Sequence, residues 1–123
     1  MERSKALTAL SALAHDTRLD LVRLLVPHGD TGMTAGEIAR NLGLSPSRLS
    51  FHLSALEQAG LIRSRKLARN VIYSVDAAGL GRMMSYLLND CCLDHPEIRA
   101  ACTCAPATAT AGQFPSAVGM AKT

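Results

Sequence analysis

The chain has little aromatic bulk and no long apolar stretch. Its 123 residues include no Trp, two Tyr and two Phe, so a buried core has to be built from aliphatic side chains. No apolar run approaches the roughly 20 residues that a membrane-spanning helix needs. The N-terminal segment alternates charged with apolar positions, unlike a secretory signal. We therefore expect a cytoplasmic chain of one domain's size with no membrane partner.

Cysteine is absent from the first 90 residues. All four cysteines lie in one stretch, NDCCLDHPEIRAACTC, as Cys91, Cys92, Cys102 and Cys104. Thiols stay reduced in the cytoplasm, so a structural disulfide is not expected. An enzyme with a nucleophilic cysteine in an anion-binding loop would need that cysteine earlier in the chain, and we expect no enzymatic activity. The clustering argues against four inert core residues and makes the stretch a candidate ligand-binding or redox segment.

Acidic residues are scarce in the middle of the chain. Between Ser45 and Val75 there are five basic residues and only one acidic residue, Glu57, although the whole chain carries a formal charge of only +3. A segment of this kind favours a polyanionic partner, but alone it is also compatible with an ordinary solvated face.

Apolar periodicity predicts two N-terminal helices, or one long helix bent near His15. Leu7, Leu10 and Leu13 fall at helical spacing in the first, and Leu21, Leu24 and Leu25 in the second, which Pro27 and Gly29 end.

A helix-turn-helix is predicted over the next segment. TAGE has the form of a capping box that begins a helix at Thr34, and Gly43 is suited to end it. LSPS follows at once, with Ser45 placed as N-cap and Pro46 at the first helical position. Leu49, Leu53 and Leu56 form the buried stripe of this second helix. So short a connection is typical of two helices that cross steeply.

The exposed face of the second helix is small and polar. It carries Ser47, Arg48, Ser50 and Phe51, together with Ser45 at its start. Short side chains let a helix backbone approach a DNA major groove closely enough for Arg48 or Ser47 to reach base edges, while N-terminal donors meet phosphates. An ordinary exposed helix face remains the alternative at this point.

A basic β-hairpin follows directly. LIRSRKLARNVIYSVD predicts strands over Leu61–Lys66 and Val71–Val75, with Val71, Tyr73 and Val75 on one side. Arg65, Lys66 and Arg69 would then lie at the hairpin tip, where they can contact sugar-phosphate beside the groove. Asp76 is placed to cap a further helix that ends near Asn89 or Asp90.

This order of elements resembles the ArsR/SmtB family of winged-helix repressors. The specific piece is SPSRLSFHLSALEQAGLI, which is similar to the family's recognition helix, and LAHDTRLDLVRLL is similar to its early segment. The resemblance implies a mainly α fold with a small β-hairpin, a homodimer, and a double-stranded, pseudo-palindromic operator DNA as partner. It also places His52 among the DNA-binding residues, although its position between core leucines favours a packed or backbone-bonded ring. The family's wing turn holds a glycine, whereas here Asn70 is expected to take the left-handed position.

The inducer sites of other branches of the family are missing from the sequence. The helix TAGEIARNL has no cysteine, and the span 76–89 has no histidine. The CC pair near the end of the last helix is similar to arsenic repressors with C-terminal ligands, which implies As(III), with Sb(III) as a second candidate. Thiolates select such soft ions. Cys91 and Cys92 with Cys102 or Cys104 would supply three sulfurs, with LDHPEIRAA as the loop that folds back. A thiol redox switch and a zinc, cadmium or lead site stay open.

Three segments are expected from this organisation. Residues 1–90 would form the DNA-binding and dimerisation domain, residues 91–104 the effector segment, and residues 105–123 a disordered tail.

Overall fold

The computed structural model of the chain describes residues 1–102. These residues divide into a first compact unit, Met1–Tyr86, and a second that begins at Leu87. Cys104 and the predicted tail lie outside the described residues. Among residues 1–102 no helix has both the length and the apolar character needed to cross a bilayer.

The N-terminal segment forms two helices, α1 (Arg3–Leu13) and α2 (Asp16–Leu25). The chain breaks at His15, whose side chain caps α2 by accepting from the Thr17 backbone N–H. The helix predicted from the leucine spacing is confirmed, but its buried residues are Ala6, Ala9 and Ala12. Leu10 and Leu13 pack only partly against the core, and Leu7 is exposed. Small side chains let α1 lie close to the helices beneath it, which leaves its leucines at the edges of the contact.

The predicted helix-turn-helix is confirmed. Helix α3 (Ala35–Leu42) begins with the complete Thr34/Glu37 capping box and ends at Gly43, which has a φ of 66°. Helix α4 (Pro46–Gln58) begins at the N-cap Ser45, and its buried side includes Leu49, Leu53 and Leu56. Helix α3 packs against both α2 and α4, so the leucine stripe of α4 is held in the aliphatic core.

The hairpin belongs to a three-stranded antiparallel sheet. Strands β2 (Ile62–Leu67) and β3 (Asn70–Val75) pair through a two-residue turn, and a short strand β1 (Met33–Thr34) pairs with the other edge of β3. Strand β1 was not predicted, because two residues are too few to show an alternating pattern.

Val71, Tyr73 and Val75 lie on one side of β3, as the alternation predicted. Tyr73 and Val75 pack against the core and Val71 is exposed, whereas the most buried residues, Ile72 and Ser74, lie on the other side. A 3₁₀ segment at 26–31 contacts β3 and covers that second face. Gly32 next to it comes so close that a Cβ would lie 2.3 Å from the Tyr73 carbonyl oxygen.

Helix α5 (Ala77–Ser85) starts at Asp76, whose carboxylate accepts from the Gly79 backbone N–H at 2.9 Å. It buries Met83 in the core. The α-helix ends earlier than predicted and passes into a wider π-helical turn over Tyr86–Cys91.

In the second unit the segment predicted to be a loop contains a helix, α6 (Pro96–Cys102). Leu93 and Asp94 have φ values of 53° and 54°, so the chain reverses there before α6 begins. Arg99 holds this reversal, since it pairs with the Asp94 carboxylate and donates to Asn89 Oδ1 at 2.6 Å. A prolyl first position and a capping turn explain why LDHPEIRAA becomes helical rather than extended.

Candidate nucleic-acid interface and cysteine segment

The N-terminus of α4 is occupied by its own cap. Ser45 Oγ accepts from the Arg48 backbone N–H at 3.4 Å, and Pro46 has no N–H to offer. Of the first three positions of α4, only Ser47 therefore keeps a backbone donor that points out of the helix end. Ser45 thus acts first as the residue that fixes where α4 begins.

The predicted DNA-facing residues share one exposed surface. Ser47, Arg48, Ser50 and Phe51 are all exposed, and the leucines of α4 lie on the opposite, buried side. The only acidic residue of α4 is Glu57, near its C-terminal end, where it accepts from Ser64 Oγ at 2.7 Å. The half of α4 that would enter a groove is therefore free of negative side chains.

His52 belongs to the interior and not to this surface. The residue is 5% exposed, and its Nδ1 accepts a hydrogen bond from Arg18 Nε at 3.2 Å. The expectation of a packed ring is met, but the partner is a side chain from α2 and not the backbone. Because Nδ1 accepts, the neutral ring carries its proton on Nε2.

The surroundings of His52 disfavour its protonation. Burial lowers the pKa of His52 below the ordinary value of 6.5, and the positive charges of His15, Arg18 and Arg48 lower it further. The ring centroids of His15 and His52 lie 4.8 Å apart. A neutral His52 therefore suits the Arg18 hydrogen bond, which an imidazolium could not accept.

The sequence predicted three basic residues at the hairpin tip, but one of them, Arg65, lies elsewhere. Arg65 pairs across to Ile72, and its guanidinium donates to the carbonyl oxygens of Asp30 and Thr31 at 3.1 and 3.4 Å. Arg63 forms an ion pair with Asp30 at 2.6 Å. Both arginines thus tie β2 to the 3₁₀ segment, which the sequence could not indicate because the partners lie more than 30 positions apart.

Lys66 and Arg69 remain at the tip. Arg69 lies in the turn itself and Lys66 pairs with Val71 next to the end of β2, and both are exposed. The left-handed position of the turn belongs to Ala68, with a φ of 58°, and not to Asn70. Asn70 instead pairs with Leu67 as the first residue of β3.

The cysteine segment shows one close pair. Cys91 and Cys102 are exposed and Cys92 is half-buried, and all three are free thiols. Burial raises the pKa of Cys92, and the neighbouring Cys91 thiol raises it further through charge and a hydrogen bond. Within residues 1–102 no three His, Cys, Asp or Glu side chains converge into a metal-binding group. Two of the three predicted sulfur ligands, Cys91 and Cys92, are therefore adjacent, and the identity of the third ligand stays a prediction.

Sequence reasoning missed Arg18, which reaches α4 from α2. Its guanidinium carbon lies 5.4 Å from the centre of the Phe51 ring, and it also donates to the Ala12 carbonyl at 3.3 Å. No local pattern could have identified it, since Arg18 and His52 are 34 positions apart.

Comparison with known proteins agrees with this geometry. A helix-turn-helix domain family matches residues 13–65. The transcriptional activator HlyU of Vibrio cholerae is 34% identical over 84 residues, which cover 68% of this chain and 75% of HlyU. The HTH-type transcriptional regulator YgaV of Escherichia coli is 34% identical over 72% of this chain and 87% of its own length.

Solved structures share the fold. Reduced HlyU from Vibrio cholerae superposes with a TM-score of 0.55 at 31% identity, covering 72% of this chain and 90% of that one. The homodimeric winged helix-turn-helix domain of Mb0332 from Mycobacterium bovis, described as a possible ArsR-family regulator, superposes with a TM-score of 0.58 at 24% identity, covering 75% of this chain and 82% of that one. The fold and the interface define a winged helix-turn-helix DNA-binding protein. The chain belongs to the ArsR-like family of transcriptional regulators.

Proposed function

We propose that the protein is a homodimeric repressor that binds a pseudo-palindromic operator and is released from it by As(III). The observation that carries the DNA-binding part is the exposed face of α4, which presents Ser47 and Arg48 without a nearby acid, beside a hairpin tip with Lys66 and Arg69. In this arrangement Arg48 reads base edges in the major groove and the hairpin contacts phosphates. The homodimeric state of Mb0332 supports a dimer here.

The DNA-binding proposal is tested with duplex selected by the full-length protein from a random pool. Arg48→Ala should relax the selected sequence, since an arginine can bond a guanine edge through two donors. Lys66→Ala and Arg69→Ala should weaken binding to every duplex. Each should also flatten the dependence of log K on log salt by about 0.9 for every phosphate that the removed side chain neutralises in the wild type.

Arg65→Ala supplies the control in that experiment. The Arg65 guanidinium is bonded to the Asp30 and Thr31 carbonyls. We therefore expect Arg65→Ala to affect the free energy of unfolding more strongly than the slope of log K against log salt. An unchanged slope in the Lys66→Ala, Arg69→Ala double variant would show that the hairpin does not contact the DNA backbone.

The adjacent thiols support As(III) as the effector. In forming each As–S bond, a thiol replaces a hydroxide of arsenous acid, and the thiol proton leaves with that hydroxide as water. Cys91 and Cys92 supply two sulfurs, and Cys102 or Cys104 the third. Sb(III), with the same preference for thiolates, would be held in the same way. Release requires that the DNA-free conformation bind As(III) more tightly than the DNA-bound one.

A thiol redox switch is the second candidate. HlyU has been described in a reduced form, and an oxidant such as a peroxide could take two electrons from two of the thiols here, with their two protons, to form a disulfide. Both reactions use the thiolate form of cysteine, so the raised pKa of Cys92 slows either one and does not decide between them.

Arsenite titration of the operator complex distinguishes an As(III) site from a thiol redox switch. Cys91→Ser and Cys92→Ser should stay on DNA at arsenite concentrations that release the wild type, because each lacks a required sulfur. Cys102→Ser and Cys104→Ser should each be released in part, because the other cysteine of that pair can supply the third sulfur. Affinity for DNA without arsenite should be equal in all variants.

Two results would contradict the arsenite site. Release of the Cys91→Ser, Cys92→Ser double variant at the wild-type arsenite concentration would refute it. Release of the wild type by peroxide but not by arsenite, reversed by a thiol reductant, would establish the redox switch instead.

A further inference from the structure

Phe51 is an apolar exception on the surface of α4. Its side chain is 64% exposed, and the residues one helical turn away on the same face are Ser47, Arg48 and Ser54, which are all exposed as well. An aromatic ring left in water gains nothing for folding. The ring is also the bulkiest apolar group near the middle of the face that would enter the groove.

The ring of Phe51 is held in place from the side of the protein. The Arg18 guanidinium lies over one face at 5.4 Å, and the His52 ring meets it edge-on with centroids 5.4 Å apart. Arg18 is itself fixed by its hydrogen bonds to His52 and to the Ala12 carbonyl. A side chain held in this way loses little conformational entropy when it binds.

The chemistry of the major groove limits what such a ring can contact. The groove edges of the bases present donors and acceptors, and the one apolar group among them is the C5-methyl of thymine. A phenyl ring offers no hydrogen bond to the other groups. We infer that Phe51 is a specificity-determining residue that contacts a thymine methyl in each half-site, and that Arg18 positions its ring. This inference rests on the proposed DNA-binding function.

The inference is tested by removing the methyl from the DNA. Each thymine of the duplex selected by the wild-type protein is replaced in turn by deoxyuridine, which keeps the base pair and changes only that methyl. At one thymine per half-site, wild-type affinity should fall about fourfold, the ratio that corresponds to one buried methyl group. Phe51→Ser should lose affinity for the thymine duplex and bind both duplexes equally.

Two further variants separate reading from folding. Phe51→Leu keeps an apolar side chain and should retain part of the discrimination between thymine and deoxyuridine. Val26→Ser removes another exposed apolar side chain, which lies outside α4, and should discriminate as the wild type does. Thermal unfolding of each variant checks that the fold is intact.

The possible results lead to different conclusions about Phe51. Discrimination in the wild type that disappears in Phe51→Ser establishes the contact. Equal discrimination in both proteins, or none in the wild type, overturns it while leaving sequence-specific binding in place. Failure of the wild type to select any sequence would remove the proposed function, and the inference with it.

Discussion

His52 lies between two core leucines of α4, yet its ring is held by a residue from another helix. Arg18 donates to Nδ1, and burial together with the charges of His15, Arg18 and Arg48 lowers the pKa of His52. The histidine in the family pattern of the recognition helix is thereby explained as an interior residue. Its role is to connect α2 to α4, which positions the helix that carries Arg48 and Phe51.

The depressed pKa of His52 makes stability depend on pH. The unfolded chain binds a proton to this histidine near the ordinary pKa of about 6.5, whereas folded His52 does so only at lower pH. The contribution of His52 to the free energy of unfolding is therefore fully present above pH 6.5 and falls as pH drops from there toward the folded pKa. His52→Gln should flatten this fall between about pH 7.5 and 5.5, measured by denaturant unfolding at each pH.

The comparison is made on slopes, because His52→Gln also changes packing. His28→Gln, at an exposed histidine, is the matched control and should keep the wild-type slope. Equal slopes in wild type and His52→Gln would mean that protonation of His52 is not linked to folding.

In the hairpin, the residue at the left-handed position of the turn is not one that local sequence preferences would select. Ala68 has a φ of 58° in a two-residue turn between Leu67 and Asn70, a conformation that favours glycine or asparagine. The register of β2 on β3 accounts for this. Ile62 is buried opposite Val75, and the pairing continues in that register to Leu67 opposite Asn70, so the turn position falls to Ala68.

Relief of this strain should stabilise the protein. Ala68→Gly is expected to raise the free energy of unfolding by about 1 kcal/mol, because glycine adopts positive φ without a Cβ clash. Ala78→Gly, at an exposed position in the first turn of α5, should instead lower it, by at most about 1 kcal/mol, since glycine weakens a helix. Denaturant midpoints measure both. A loss of stability in Ala68→Gly would show that the turn carries no such strain.

At the scale of the whole molecule, the excess of basic residues in the middle of the chain divides into two roles. All five basic residues are exposed. Arg63 and Arg65 are also bonded to the 3₁₀ segment within the first unit, whereas Arg48 lies on α4 and Lys66 and Arg69 lie at the hairpin tip. Net charge therefore overstates the surface available to DNA. The second unit keeps its own charged contacts, between Arg99 and Asp94.

Much of the first unit was determined by the sequence alone. The capping box at Thr34, the Ser45–Pro46 helix start, the leucine stripe of α4 and the Asp76 cap are all confirmed, because each depends on residues within one or two turns of one another. The fold class followed from the order of these elements. The exposed face of α4 followed as well, since helical periodicity separates it from the leucines.

The tertiary structure alone decided what joins those elements. The alanine face of α1, strand β1, the ion pair between Arg63 and Asp30 and the contacts of Arg18 with His52 and Phe51 all depend on partners from distant parts of the chain. Such pairs leave no periodic or local signature, because they form only when packing of the aliphatic core brings the helices and strands together. For this reason the exposed residues of α4 and of the hairpin tip could be named from the sequence, but the residues that hold these elements in position could not.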